Sequence, residues 1–155
     1  MNSIVQVILK NSQQFPEKDA FIYNDIYVSY GDFANKILSF SNYLKQKKVK
    51  KGSKIVVEAD DPILFYTVFL AVQLNSCIVL PVERNISLYH LQEILNAQKP
   101  AIVLSRHTGE ISKEFFNYDY DLTTPSIVPE SDSPAAIIST TGTTGKPVMI
   151  VHTNK

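Results

Sequence analysis

The sequence predicts an α/β fold: a mostly parallel sheet with crossover helices and a small hairpin near the N-terminus. Two observations carry this. Strand-like and helix-like segments alternate along most of the chain, which is the pattern of parallel strands joined by helices. The chain has 155 residues, 45% apolar and 19% charged, enough for one domain with a real core and unlike a disordered or fibrous polymer.

Residues 3–14 read as a first helix, with Ile4, Val5, Ile8 and Leu9 on one side, stopped at Phe15-Pro16. Residues 20–23 and 26–29 form a hairpin joined by Asn24-Asp25, two residues that tolerate the left-handed backbone of a two-residue loop. Ser29-Tyr30-Gly31-Asp32 fits a capping box, hydroxyl and carboxylate each satisfying an amide of the first turn. Phe33, Ile37, Phe40 and Leu44 then line one face of a helix. Lys45, Lys47 and Lys48 close it, where cations meet the negative end of the helix dipole, and Lys50, Lys51 and Lys54 extend the basic stretch. A solvated turn explains these charges more simply than a phosphate or membrane patch.

Residues 54–58 read as a buried strand. Asp60, Asp61 and Pro62 start a helix, with proline where an amide would be unpaired anyway. Residues 63–74 are apolar almost all round and too short to cross a bilayer, so this helix is expected to be sandwiched inside the protein. A strand at 77–82, a helix capped by Ser87 and carrying Leu88, Leu91, Ile94 and Leu95, and a strand at 101–104 follow. Over about 107–134 the character changes. Pro125, Pro129, scattered aromatics and a surplus of acids predict an irregular, acid-rich connection.

Composition narrows the function. Fifteen basic and fifteen acidic residues cancel, leaving no global field for nucleic acid or an anionic membrane. The lysine run is a poor nucleic-acid footprint, since no aromatics interleave with it. A single cysteine, Cys77, excludes a disulfide framework and a cysteine-rich zinc site, and its apolar strand favours an inert core thiol. His90 and His107 have no ligand-spaced partners, so no metal site is expected. The first residues carry no basic leader, and no run reaches the roughly 18 apolar residues of a membrane span. The expectation is a cytoplasmic, reducing-compartment protein.

The chemistry lies near the end. Glycine is scarce, five in the chain, yet two fall within Thr140-Thr141-Gly142-Thr143-Thr144-Gly145-Lys146-Pro147. Apolar residues 135–138 lead into this run and residues 149–151 leave it. Four hydroxyls, two flexible glycine amides and one ammonium, with no carboxylate among them, suit a polyphosphate. An exposed hairpin turn uses the same residue types, and composition alone does not choose between the two. A Walker-type loop fails on spacing, because Thr140 stands at its first glycine and Pro147 follows the lysine. A dinucleotide fingerprint fails because Thr140 again stands where a glycine is required.

This run resembles the phosphate loop of the adenylate-forming superfamily, which includes acyl-CoA synthetases, luciferases and peptide-synthetase adenylation domains. The family signature reads Thr-Ser-Gly-Thr-Thr-Gly-x-Pro-Lys-Gly, then a short apolar strand and His-x-Asn. Here Thr140 to Pro147 match, with Thr141 keeping the hydroxyl of the signature's serine, followed by Val148-Met149, Ile150-Val151 and His152-Thr153-Asn154. Phe15-Pro16, Ala20-Phe21-Ile22, Val28 to Phe33, Leu70-Ala71-Val72 and Leu80-Pro81-Val82 are similar to earlier family segments, so the resemblance covers essentially 1–155. Val148-Met149 departs from the family's Lys-Gly, with Lys146 a partial substitute for the charge. Asn75-Ser76 stands where a glycine pair is usual.

The resemblance implies the N-terminal subdomain of the adenylate-forming ligase fold and a two-step reaction. ATP and a carboxylic acid give an acyl-AMP and pyrophosphate, and a CoA or phosphopantetheine thiol then displaces AMP. Thr140, Thr141, Gly142, Thr143, Thr144, Gly145 and Lys146 would hold ATP, while Mg2+ ligands and the acyl pocket are expected outside this chain. No catalytic residue is assigned: His152 lacks a nucleophile beside it, and a hydrogen-bonded role at a strand-to-helix junction is the simpler expectation. Family members are several hundred residues long, so the chain reads as the N-terminal part of an acid–thiol ligase that would work with the remainder of that ligase, inactive alone. The alternative is a non-catalytic nucleotide-binding or protein-interaction module derived from that fold.

Overall fold

The computed structural model describes residues 4–58, 61–105, 134–141 and 147–153. The acid-rich connection expected over about 107–134 lies outside them, except that Pro134 already begins a strand.

Helix α1 (Ile4–Gln14) leads into the hairpin of β1 (Asp19–Tyr23) and β2 (Ile26–Ser29). Asn24 and Asp25 both take positive φ, 48° and 59°, as the two-residue loop demands. Helix α2 (Tyr30–Gln46) starts at Ser29, whose hydroxyl accepts from the Asp32 amide at 3.1 Å. Only half of the expected capping box forms. The Ser29 hydroxyl half is in place, and the Tyr30 and Gly31 amides, which no capping box serves, donate to the carbonyls of Lys18 and Pro16. Gly31 eases this close approach, because a Cβ there would lie 3.1 Å from the Pro16 oxygen and the backbone would have to give by a few tenths of an ångström.

Strand β3 (Lys54–Glu58), helix α3 (Pro62–Leu74), strand β4 (Ile78–Val82), helix α4 (Leu88–Gln98) and strand β5 (Ile102–Leu104) follow. Asp61 caps α3, accepting from the Ile63 amide at 2.8 Å and the Leu64 amide at 3.3 Å, with Pro62 at the first helical position. Ser87 caps α4 through the His90 amide. Strands β6 (Pro134–Thr141) and β7 (Pro147–Thr153) complete a five-stranded sheet in the order β5-β3-β4-β6-β7. The first four strands in that order run parallel, and β7 pairs antiparallel to β6 at one edge. The α/β architecture with a small separate hairpin is therefore as the sequence predicts.

Alternation along each strand splits the core between two faces. Ile55, Val57, Val79, Ile102, Leu104 and Ala136 pack with α1, α2, α3 and the hairpin. Val56, Ile78, Leu80, Val82 and Ile137 pack with Leu91 and Ile94 of α4. Leu88, expected to share that apolar stripe, is exposed in the first turn. Helix α3, apolar all round, is packed against α1 and α2 on one side and β3 and β4 on the other. No helix among the described residues is long and apolar enough to cross a membrane.

Two helices end alike. After α2 the Lys48 amide donates to the Lys45 carbonyl and the Val49 amide to Leu44; after α3, Ser76 donates to Gln73 and Cys77 to Val72. This is the Schellman arrangement, and it needs a left-handed residue, usually glycine, at the position held by Lys48 (φ 55°) and Ser76 (φ 51°). The turn at Asn75-Ser76 thus keeps the geometry that a glycine would favour without having one. It also drives Cys77 inward, 1% exposed, opposite the buried Val72.

Two outcomes follow from that turn. Ser76→Gly is expected to stabilise the protein by about 0.5–1 kcal/mol, the relief of left-handed strain less the extra freedom of glycine in the unfolded chain. A urea midpoint that falls would contradict this. Burial pushes the Cys77 thiol above its ordinary range, and a backbone hydrogen bond from Ser53 offsets this only in part. With the thiolate disfavoured, native Cys77 is expected to react with Ellman's reagent at about pH 8 roughly 100-fold more slowly than the urea-unfolded chain; equal rates would show the site to be open.

Candidate functional site

In a doubly wound sheet, ligands bind at the carboxyl ends of the strands, where neighbouring strands send their connections to opposite faces. Here β3 continues into α3 on one face and β4 into α4 on the other, so adjacent strands β3 and β4 form such a switch point. The carboxyl ends of β3, β4, β5 and β6 share this edge, and β6 brings Thr140 and Thr141 to it.

The backbone register fixes what comes next. Thr140 stands opposite Val148 and Thr141 opposite Pro147, so the hairpin remains paired up to the ends of the donor-rich loop. Gly142, Thr143, Thr144, Gly145 and Lys146 lie outside the described residues. What the structure supplies is their mounting: both anchors of the loop belong to one antiparallel ladder, and that ladder is joined to the parallel sheet through β6 and β4. The strand–loop–strand context expected from sequence is present on both sides.

His152 sits within β7, paired with Ala136, and is exposed; the residues after Thr153, where the strand-to-helix junction is expected, lie outside the described residues. His90 lies exposed in the first turn of α4, its ring 5.6 Å from that of Tyr89. His107 lies outside the described residues. No group of three or more metal-ligating side chains occurs among the described residues.

Sequence reasoning missed one polar pair at this edge. Glu58 ends β3 and is 2% exposed; the Ser105 hydroxyl, fully buried just past β5, donates to its Oε2 at 3.0 Å. Both lie on the α4 face, in step with Val56 and Val103. A carboxylate directly after the apolar run Ile55-Val56-Val57 is the signal that could have found it. A groove of about 650 Å³ lined by Tyr43, Lys47, Lys48, Lys50, Ala101 and Val103 is found elsewhere, at the amino ends of β3 and β5. It lies at the opposite edge of the sheet from the loop and belongs to no part of this site.

The sequence profile described as AMP-binding enzyme matches residues 8–155. Among curated proteins, the chain is similar to Tyrocidine synthase 3 of Brevibacillus parabrevis, 23% identical over 97% of this chain and 2% of that protein. It is also similar to Trichosetin synthetase PKS-NRPS1 of Gibberella fujikuroi, 24% identical over 97% of this chain and 4% of that one. Among solved structures, the N-terminal subdomain of Klebsiella oxytoca NpsA aligns with TM-score 0.82 at 20% identity, covering 99% of this chain and 43% of that chain. The N-terminal domain of FACL13 from Mycobacterium tuberculosis aligns with TM-score 0.81 at 16% identity, covering 99% and 45%. The chain thus spans a small part of its curated relatives and less than half of the solved chains, and the structural likenesses establish the fold. With the profile match running through nearly all of it, the chain belongs to the AMP-binding enzyme family.

Proposed function

We propose that this chain is the N-terminal part of an ATP-dependent acid–thiol ligase, and that Thr140, Thr141, Gly142, Thr143, Thr144, Gly145 and Lys146 hold the phosphates of ATP. The observation that carries the reading is the donor-rich, carboxylate-free run set between two paired strands at the carboxyl edge of a doubly wound sheet. A carboxylate oxygen of the acid attacks the α-phosphorus, the bond to the bridging oxygen breaks, and pyrophosphate leaves with the bonding electrons. The glycine amides, threonine hydroxyls and Lys146 ammonium stabilise the charge gathering on that leaving group. A thiol of CoA or of a carrier phosphopantetheine then takes the acyl group and releases AMP. Mg2+ supplies charge neutralisation at the phosphates. The described residues offer no cluster to hold it, and its ligands are assigned to the remainder of the ligase.

A second reading, a non-catalytic nucleotide-binding or protein-interaction module on the same fold, is favoured by one observation. Val148-Met149 replaces the family's Lys-Gly and removes a cation beside the loop.

Calorimetric titration with pyrophosphate and with MgATP tests the loop. Saturable binding is expected, and Lys146→Ala is expected to weaken it about 10- to 100-fold, the worth of charge-assisted hydrogen bonds. Equal affinity in the variant removes the assignment. Pyrophosphate exchange by the complete ligase, dependent on a carboxylic acid and on Mg2+, separates the two readings: exchange supports ligation, and nucleotide binding without exchange for every acid class supports the module.

A further inference from the structure

Seven lysines gather at the amino edge of the sheet. Lys47, Lys48 and Lys50 line the groove of about 650 Å³ there, and all three are exposed. Lys45, Lys51, Lys54 and Lys99 each lie within two residues of a residue that lines it. No Asp or Glu lines the groove, and none occurs over 43–54 or 94–104. In a chain whose charges cancel overall, this is a local field of one sign, present despite its own repulsion.

Three details set the cluster apart from a solvated turn. It is assembled from two parts of the chain: the Ala101 amide donates to the Lys54 carbonyl at 2.8 Å, which brings the segment after α4 beside the segment after α2. The Lys54 ammonium is half-buried, and its hydrogen-bond partner is the neutral Gln98 Oε1 at 3.0 Å rather than a carboxylate. Lys48 and Lys99 both hold left-handed backbone, φ 55° and 46°, where glycine would be easier. A lysine at both positions places a cation at or beside the groove in spite of local strain.

The groove is not charged throughout. Val49, Ile102 and Val103 give it an apolar wall. Tyr43 is 8% exposed and lies beneath Lys47, whose Nζ is 5.6 Å from the ring centroid. Ammonium groups beside an apolar wall fit carboxylates interspersed with apolar side chains. They suit a nucleic acid poorly: no arginine over 43–54 or 94–104 offers a fork for phosphate, and the Tyr43 ring, buried under a lysine, gives no base a place to stack. We propose that this groove is a docking site for an acidic, partly apolar polypeptide segment of another protein. The inference is independent of the phosphate-holding role of the loop, which is mounted at the opposite edge of the sheet.

A fluorescein-labelled peptide of repeated Glu-Glu-Leu-Leu, titrated with the full chain and read by fluorescence anisotropy, tests it. Saturable binding is expected, tighter than that of polyglutamate of equal charge and about tenfold weaker in high salt. Lys47→Gln combined with Lys50→Gln is expected to weaken it at least tenfold. Lys18→Glu, which removes the same charge near the start of α2, is expected to leave it unchanged. Lys48→Gly is expected to raise the urea midpoint while weakening the peptide about threefold, a trade that a lysine serving only the turn would not show. Equal affinity in the double variant, or for peptide and polyglutamate alike, overturns the proposal. So does a single-stranded oligonucleotide or a phosphatidylserine vesicle that binds more tightly than the peptide and is lost in the double variant, which would give the groove to phosphates. Absence of peptide binding overturns it too; binding that then appeared in Asp119→Asn combined with Asp121→Asn would assign the groove to the acid-rich stretch of the chain itself.

Discussion

The attachment of β6 to the rest of the sheet is the constraint on which the site depends. The strands β3, β4 and β5 are held by parallel ladders and by helices on both faces. β6 joins that layer beside β4, carries β7 antiparallel on its outer side, and ends at the donor-rich loop. Whatever fixes β6 therefore fixes the anchors of the loop, Thr141 and the paired Pro147. Ala136 packs into the core on the α3 side and Ile137 into the core on the α4 side, so burial on alternate faces sets which way each residue of β6 points.

Much of this fold is legible in the sequence because its punctuation is local. Asn24-Asp25 spells a two-residue loop, Ser29, Asp61 and Ser87 spell helix starts, and the Lys-Ile-Val-Val-Glu strand is bounded as expected. The other amides of the first turn of α2 are met by tertiary contacts that no local pattern shows: those of Tyr30 and Gly31 find carbonyls of Lys18 and Pro16 brought close by the hairpin. Ser76 defeats a reading based on glycine, since its left-handed backbone is imposed by the carbonyls of Val72 and Gln73 that must be satisfied at the end of α3.

The site is legible to a different extent. The loop from Thr140 to Lys146 declares its donor chemistry in sequence, because the relevant residues are contiguous. The Glu58–Ser105 and Gln73–Ala135 contacts join residues 47 and 62 positions apart, and no local pattern announces either. Both consist of a polar residue in an apolar run, which marks where to look without naming the partner. The lysines at the end of α2 illustrate the converse. They stand out in sequence, yet they line a groove at the amino edge of the sheet, away from the switch point where the loop is mounted.

The proposed role of the loop turns on where a nucleotide phosphate sits. Backbone amide chemical shifts of the isotope-labelled protein, followed while MgATP is added, report this residue by residue. Saturating shifts are expected at Gly142 and Gly145, spreading into Thr141 and fading along β6 and β7. Saturating shifts confined to Lys47, Lys48 and Lys50, with both glycine signals unmoved, would contradict it.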